Sequence, residues 1–204
     1  DGRRVAFLSS PEGKRGLWLM SSEGSTPAVI TSGDILDAVS WAPDNRRIVY
    51  AAGVGDGTAL WIADADTGRT EQIQTPPARE PAWSPRGDMI AVIRVKDNTV
   101  AVHFISPQGT ELRAPIPVNA VGQPMALTWS PDGTRIALLN LPGRGFADAW
   151  TLDIASGQLR RVLSLPPPHE LDGVAWTPDG RSLILGRIEF DTEVLLVEGL
   201  PRKR

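Results

Sequence analysis

The sequence predicts an all-β fold built from repeats, and three observations support this prediction. A W-x-P segment recurs four times at spacings of 42, 46 and 47 residues, with its tryptophans at Trp41, Trp83, Trp129 and Trp176. A second aromatic follows in the segments GLWLMSS, ALWIADADTG and DAWTLDIASG, and AVHFISPQG stands in the same place in the third repeat. No three-four periodicity lasts long enough to indicate a helix.

Each repeat divides into four short strands, A to D. Strand A ends in the W-x-P tryptophan, an Asp-Gly-like turn leads to the β-branched strand B, and strand C carries the second aromatic before a glycine turn and strand D. The chain then holds about 18 strands: four A, five B, five C and four D. Four antiparallel strands per repeat of about 40–50 residues are typical of the blades of a β-propeller. We expect about five blades, with the first and the last incomplete.

The repeated residues have structural roles. The tryptophan is expected to pack between neighbouring blades, proline ends strand A because it has no N–H to donate, and Asp-Gly allows a tight reversal. Asn45 replaces the turn glycine, and asparagine tolerates a positive φ better than most residues. Arg86 replaces the turn aspartate, so the third turn is expected to lack an Asp side-chain hydrogen bond.

We expect one β-propeller domain over residues 1–204, with repeat units at about 1–37, 38–79, 80–125, 126–172 and 173–204. The first unit lacks strand A and the last lacks strand D. Two explanations stay open: the sequence is a fragment of a longer propeller, or an open arc is closed by self-association with another copy.

The composition of the chain argues against several classes of partner and of chemistry. The formal charge of −3 gives no indication of a nucleic-acid partner. The absence of cysteine excludes disulfides and thiolate chemistry, and no apolar stretch approaches the roughly 18–20 residues of a membrane span. Residue 1 is not methionine, so any signal peptide is expected to have been removed or to lie outside this sequence.

Signals for catalysis or metal binding are weak, and we predict no catalytic residue, no metal site and no cofactor. There is no G-x-S-x-G motif, and His103 and His169 do not form a metal-ligand pattern. His103 is interpreted as structural. The acidic segments DADTG and GDILD do not fit a calcium loop, and turn formation explains Asp64 and Asp66 better. The segment LPGRGF lacks the features of a phosphate loop and is interpreted as a B–C loop.

The pattern W-[ST]-P-D-G followed by D-x-x-[ST]-G resembles the WD40-like (PD40) repeat of TolB-type propellers, which also occurs in prolyl oligopeptidase and dipeptidyl peptidase relatives. The resemblance implies a non-catalytic bacterial scaffold that binds a protein or peptide, in the periplasm or outside the cell. One alternative is an accessory propeller that gates a serine peptidase domain. Another is small-ligand or sugar binding in the central channel.

The topology of a propeller suggests where a partner would bind. The A–B and C–D turns emerge on one face, where they are short and repetitive. The B–C and D–A connections on the other face vary, in TPPARE, APIPVNAVGQP, NLPGRGFAD and LPPPHELDG, and variable loops on a rigid scaffold commonly carry binding residues. The candidate contacts are Arg79, Glu80, Arg144, Phe146, His169 and Glu170.

Overall fold

A computed structural model describes residues 1–13, 15–55, 57–140, 147–167, 169–188 and 193–197. Within these ranges it contains 18 strands and two three-residue 3₁₀ turns, at Pro11–Gly13 and Asn119–Val121. The strands divide into four A, five B, five C and four D, as the repeats predict. Among the described residues, no helix has the length and hydropathy needed to cross a membrane.

The first two sheets follow the repeat order directly. Sheet 1 has the order β1-β2-β3, formed by Arg4–Ser9, Gly16–Ser21 and Ala28–Ser32. Sheet 2 has the order β4-β5-β6-β7, formed by Ile35–Trp41, Arg47–Val54, Gly57–Asp64 and Thr70–Ile73. Successive strands pair antiparallel in both sheets.

Sheets 3 to 5 repeat this arrangement. Sheet 3 contains β8 to β11, at Arg79–Trp83, Ile90–Lys96, Thr99–Ile105 and Ile116–Pro117. Sheet 4 contains β12 to β15, at Pro124–Trp129, Arg135–Asn140, Ala147–Asp153 and Leu159–Leu165. Sheet 5 contains β16 to β18, at Glu170–Trp176, Leu183–Ile188 and Glu193–Val197. Each sheet is one blade, numbered here as its sheet, and the predicted β-propeller class is confirmed. Within the described ranges, the first and the last sheet have three strands each.

The A strands are longer than the sequence pattern indicates. The alternating segments that end in tryptophan are four residues long, whereas β4 and β16 span seven residues each. All four A strands carry a register shift against strand B, between Ile35 and Val39 in β4 and between Leu171 and Val174 in β16, for example. Such irregularities place extra residues of strand A opposite strand B and break the alternation on which a strand prediction depends.

The D strand of blade 3 lies where the sequence indicated a loop. The segment APIPVNAVGQP contains β11 and the second 3₁₀ turn, and β11 pairs with β10 through Ala101–Pro117 and Val102–Ile116. Before it, residues 106–115 also follow β10: Ile105 forms a bridge with Glu111, and the Leu112 N–H donates to the Phe104 carbonyl at 2.9 Å. A strand of two residues, one of them proline, is too short for periodicity to identify.

The chain forms two units. The first comprises Asp1–Arg94 and His103–Ala114, and the second comprises Val95–Val102 and Pro115–Arg204. The core of the first unit lies between successive blades and includes Leu60, Trp83 and Ile105. In the second unit, a core between blades 4 and 5 includes Leu139, Trp176 and Leu185.

Candidate functional site

The A–B turns share one backbone geometry. The residue at the predicted turn position has a φ between 58° and 75° in all five turns, at Gly2, Asn45, Gly87, Gly133 and Gly180. In the fourth turn, Asp132 Oδ1 accepts hydrogen bonds from Ser130 Oγ at 2.6 Å and from the Thr134 N–H at 3.0 Å. The predicted left-handed conformation of Asn45 is confirmed, and the turn aspartates are occupied in holding the turn.

The third A–B turn keeps an Asp side-chain hydrogen bond, although arginine replaces its turn aspartate. Arg86 supplies no carboxylate, but Ser84 Oγ donates to Asp88 Oδ1 at 3.0 Å. The expectation that this turn lacks an Asp side-chain bond is therefore wrong. A carboxylate two positions further along reaches the same serine that Asp132 reaches in the fourth turn, because the reversal brings both ends of the turn together.

The C–D turns are closed in the same way by aspartate and glycine. Asp64 Oδ1 accepts the N–H groups of Asp66 at 3.0 Å and Thr67 at 2.9 Å, and Gly68 has a φ of 69°. The Arg46 guanidinium, 2.7 Å from Asp64 Oδ2, holds the pKa of this carboxyl well below its usual range, and the two backbone bonds add to the effect. In the described part of the chain, no group of three or more His, Cys, Asp or Glu side chains could hold a metal ion.

An arginine from each of three blades stacks on the tryptophan of the next blade. The guanidinium carbons of Arg4, Arg47 and Arg135 lie 5.3, 4.8 and 4.6 Å from the ring centroids of Trp41, Trp83 and Trp176, respectively. Each arginine opens strand B, and each tryptophan closes strand A of the following blade. The sequence analysis missed this contact, although the arginine six residues after Trp41 and after Trp129 was a visible signal.

Clefts open beside these turns. One of about 470 Å³ lies between the fourth and fifth A–B turns and is lined by Pro131, Asp132, Arg135, Pro178, Asp179, Gly180 and Arg181. One of about 160 Å³ lies beside Arg4, Trp41 and Asn45. The larger lining holds two arginines and two aspartates, so its formal charge is balanced. Each cleft lies beside A–B turns, whereas the predicted contacts belong to the B–C and D–A connections.

Two of the predicted contacts lie at the start of β8. Arg79 pairs with Ile93 of β9, and Glu80 follows it at the β-bulge with a φ of 52°, in the left-handed region that non-glycine residues rarely adopt. Gly173 occupies the corresponding position, three residues before the tryptophan of β16, with a φ of 88°. Glu80 therefore holds a backbone geometry for which β16 uses glycine at the corresponding position.

The remaining predicted contacts lie elsewhere. In the second unit, half-buried His169 donates its backbone N–H to the Pro166 carbonyl at 3.2 Å, and exposed Glu170 opens β16. Arg144 and Phe146 lie outside the described residues. The structure thus places Arg79 beside Glu80 in one unit and His169 beside Glu170 in the other, and their binding role stays a prediction.

A polar cluster in blade 3 was not anticipated. Arg94, only 9% exposed, donates through Nη1 to Glu111 Oε1 and through Nη2 to Thr75 Oγ1. His103 Nδ1 lies 3.1 Å from both Arg94 Nη1 and Glu111 Oε1. The structural interpretation of His103 is consistent with these contacts. The signal was the histidine at the position where blades 1, 2 and 4 carry tryptophan.

A family model described as the lipoprotein LpqB β-propeller domain matches residues 1–148. The chain belongs to this LpqB propeller family. The match covers blades 1 to 3 and reaches into β14 of blade 4.

Relatives of this LpqB-type propeller include longer proteins. The chain is 29% identical over 97% of its length to tricorn protease homolog 1 of Streptomyces coelicolor, of which it covers 20%. It is also 29% identical over 96% of its length to putative tricorn protease homolog 2 of the same organism, covering 18% of it. The chain thus spans about a fifth of the length of the curated relatives it matches.

Solved structures share the fold. A protein described as putative TolB from Agrobacterium tumefaciens matches with a TM-score of 0.74 and 19% identity over 98% of this chain and 72% of its own. TolB from Acinetobacter baumannii matches with a TM-score of 0.70 and 16% identity over 97% of this chain and 52% of its own. A structure of prolyl endopeptidases matches with a TM-score of 0.56 and 14% identity over 97% of this chain and 33% of its own. The LpqB-type chain therefore shares the β-propeller fold of these structures.

Proposed function

We propose that this LpqB-type propeller is a non-catalytic scaffold that binds a protein or peptide at the cell envelope. The observation that carries the proposal is the left-handed backbone of Glu80 at the start of β8. A non-glycine residue in this region costs about 1–2 kcal/mol, and such strain clusters at functional sites. Its neighbour Arg79 adds a second charged side chain at the same D–A connection.

The contacts of the repeated residues support the same proposal, because they separate residues that stabilise the scaffold from connections that are available for binding. The turn aspartates hold backbone N–H groups, the tryptophans of blades 3 to 5 are buried, and three B-strand arginines stack on tryptophans. These side chains are engaged in stabilising the scaffold. Recognition is then left to the connections that differ between blades, as in many folds in which loops on a rigid frame bind partners.

The envelope location is supported by the family, whose description names a lipoprotein, and by the TolB-like fold. An alkaline phosphatase fusion to the whole gene product tests it, because this reporter folds only where its disulfides form. Active fusions are expected. A fusion that is active only after an added export signal contradicts the envelope location.

Selection from a displayed peptide library on the immobilised chain tests the binding role. Peptides recovered by selection are then measured by fluorescence anisotropy against variants. The double variant R79A/E80A is expected to weaken binding about tenfold or more, which corresponds to about 1.4 kcal/mol. The matched control is R181A on the A–B turn face, whose side chain is 54% exposed, and it is expected to change binding less than about twofold.

The same assay examines the other unit through H169A and E170A. Loss of binding in R181A, with R79A/E80A and H169A/E170A unchanged, would place recognition on the turn face and contradict the proposal. Melting temperatures of all variants are measured in parallel, so that unfolding is distinguished from the loss of a contact.

A second candidate is an accessory propeller that gates a peptidase, favoured by the two tricorn protease homologues that match nearly the whole chain. In this role, the propeller controls which peptides reach a catalytic domain carried elsewhere. The test is peptidase activity of the whole gene product on folded and unfolded substrates, with and without this propeller. Activity whose size selectivity disappears with the propeller supports gating, and an inactive gene product opposes it.

A further inference from the structure

Blade 3 departs from the repeat at one position on each of two neighbouring strands. Strand C carries Trp18, Trp61 and Trp150 in blades 1, 2 and 4, but His103 in blade 3. On the neighbouring strand β9, Arg94 stands where β5 has Ala52 and β13 has Asn140. A histidine has thus replaced a tryptophan on strand C, and an arginine has replaced an alanine or an asparagine on strand B.

The geometry around Arg94 is that of an anion site. Its guanidinium is 9% exposed and is bonded to Thr75, on the chain after β7, and to Glu111, on the chain after β10. His103 Nδ1 lies 3.1 Å from Arg94 Nη1. The planar fork of an arginine is suited to carboxylate recognition, and a buried guanidinium requires an anion to offset its loss of hydration.

Two features indicate that Glu111 does not satisfy this site completely. Among the described residues, the buried Arg94 Nε has no hydrogen-bond partner, so one N–H of the fork remains for another acceptor. The Glu111 side chain is 43% exposed and belongs to the irregular 106–115 segment, where one bridge to Ile105 holds its backbone. It can therefore leave the site with little change in the blade.

We propose that Arg94, His103 and Thr75 form a binding site for a carboxylate of an acidic peptide partner, and that Glu111 occupies this site as an intramolecular competitor. The partner carboxylate displaces Glu111 into solvent and accepts hydrogen bonds from the Arg94 fork. This inference rests on the proposed peptide-binding function and deepens it by naming the chemistry of the ligand. On the adjacent strand β8, Arg79 pairs with Ile93, the residue before Arg94.

The test uses Glu111→Gln, which removes the competing charge and preserves the size of the side chain. The probe is N-acetyl-L-glutamate, and its neutral control is N-acetyl-L-glutamine. Binding is followed by proton–nitrogen NMR of arginine Nε–H groups, with the Arg94 signal assigned by its loss in Arg94→Gln. In E111Q, the Arg94 signal is expected to shift saturably, with an affinity at least about tenfold higher than in the wild type, and the double variant E111Q/R94Q is expected not to bind.

Glu23→Gln is the matched control, because Glu23 is an exposed glutamate after β2 that is more than 50 residues from Thr75, Arg94, His103 and Glu111 in the sequence. It is expected to leave the affinity of the wild type unchanged. Equal binding of the probe by E111Q and the wild type overturns the inference, and so does equal binding of the neutral control.

If E111Q fails to fold, Glu111→Asp replaces it, since the shorter side chain reaches Arg94 less well. An affinity of E111D for the probe that is no higher than that of the wild type again overturns the inference. Failure here, with peptides still bound through Arg79 and Glu80, leaves the proposed function intact. If neither the peptides nor the probe bind, both the proposed function and this inference are rejected.

Discussion

The guanidinium carbon of Arg135 lies 4.6 Å from the centroid of the Trp176 ring, and its Nη2 donates to the Gly180 carbonyl at 2.6 Å. One side chain from blade 4 thereby contacts both the end of strand A and the following turn in blade 5. Trp176 of blade 5 in turn donates a hydrogen bond from Nε1 to the Thr128 carbonyl of blade 4, at 3.3 Å. The two blades are thus joined by polar contacts as well as by their apolar core.

Arg135→Ala is expected to destabilise the protein by about 2 kcal/mol, because it removes a cation–π contact worth roughly 0.5–2 kcal/mol and a charged hydrogen bond. Thermal unfolding should show a melting temperature lower by about 4–8 °C. Arg135→Met is expected to cost less, since it retains an apolar stem over the ring. Met89 is the natural residue at this position in blade 3. A melting temperature that is equally low in R135M and R135A would show that the stem contributes nothing.

Trp129→Ala is expected to destabilise the protein by about 3–5 kcal/mol without a selective loss of binding, because the ring is 8% exposed. Chemical denaturation provides the measurement. Val95→Ala, at a valine that is 55% exposed, is the control and should change stability by less than about 0.5 kcal/mol. An unchanged stability with lost partner binding would instead make Trp129 a binding residue.

Asp64→Asn is expected to lower stability at neutral pH by an amount that disappears in acid. Arg46 holds the pKa of Asp64 below its usual range in the folded state, so the contribution of the carboxylate is present above the unfolded pKa of about 3.9 and is lost as the pH falls through the lower folded pKa. The difference between the wild type and D64N, measured by denaturation, should be constant from about pH 5 to 8 and narrow below about pH 4. A difference that widens in acid contradicts this assignment.

Glu80→Gly is expected to stabilise the fold by up to about 1 kcal/mol, because glycine adopts the left-handed region without a Cβ penalty. Gly173→Ala, at the corresponding position of β16, is expected to destabilise by about 1 kcal/mol or more for the converse reason. Both are measured by chemical denaturation. If E80G lowers stability and G173A does not, the φ of these bulges is not the dominant factor at either site.

The repeat register made most of the fold predictable. Tryptophan, proline and the Asp-Gly turn act over a few residues, so the strand types, the 18 strands and the left-handed Asn45 could be assigned from local pattern. The bulges could not be assigned in this way. A register shift such as that between Arg79 and Ala82 is defined by the partner strand, and no local pattern requires it.

The candidate sites also contain features that follow from local sequence and features that depend on tertiary contacts. The sequence by itself determined the β-propeller class, the turn residues and the variable connections that contain Glu80 and His169. Only the tertiary structure decided that Glu80 lies at a strained bulge, that Arg135 stacks on Trp176, and that Arg94 meets Glu111. These relationships join residues that are distant in sequence or depend on the pairing of two strands. Their energies exist only when packing brings the groups together, whereas a turn is determined by its own few residues.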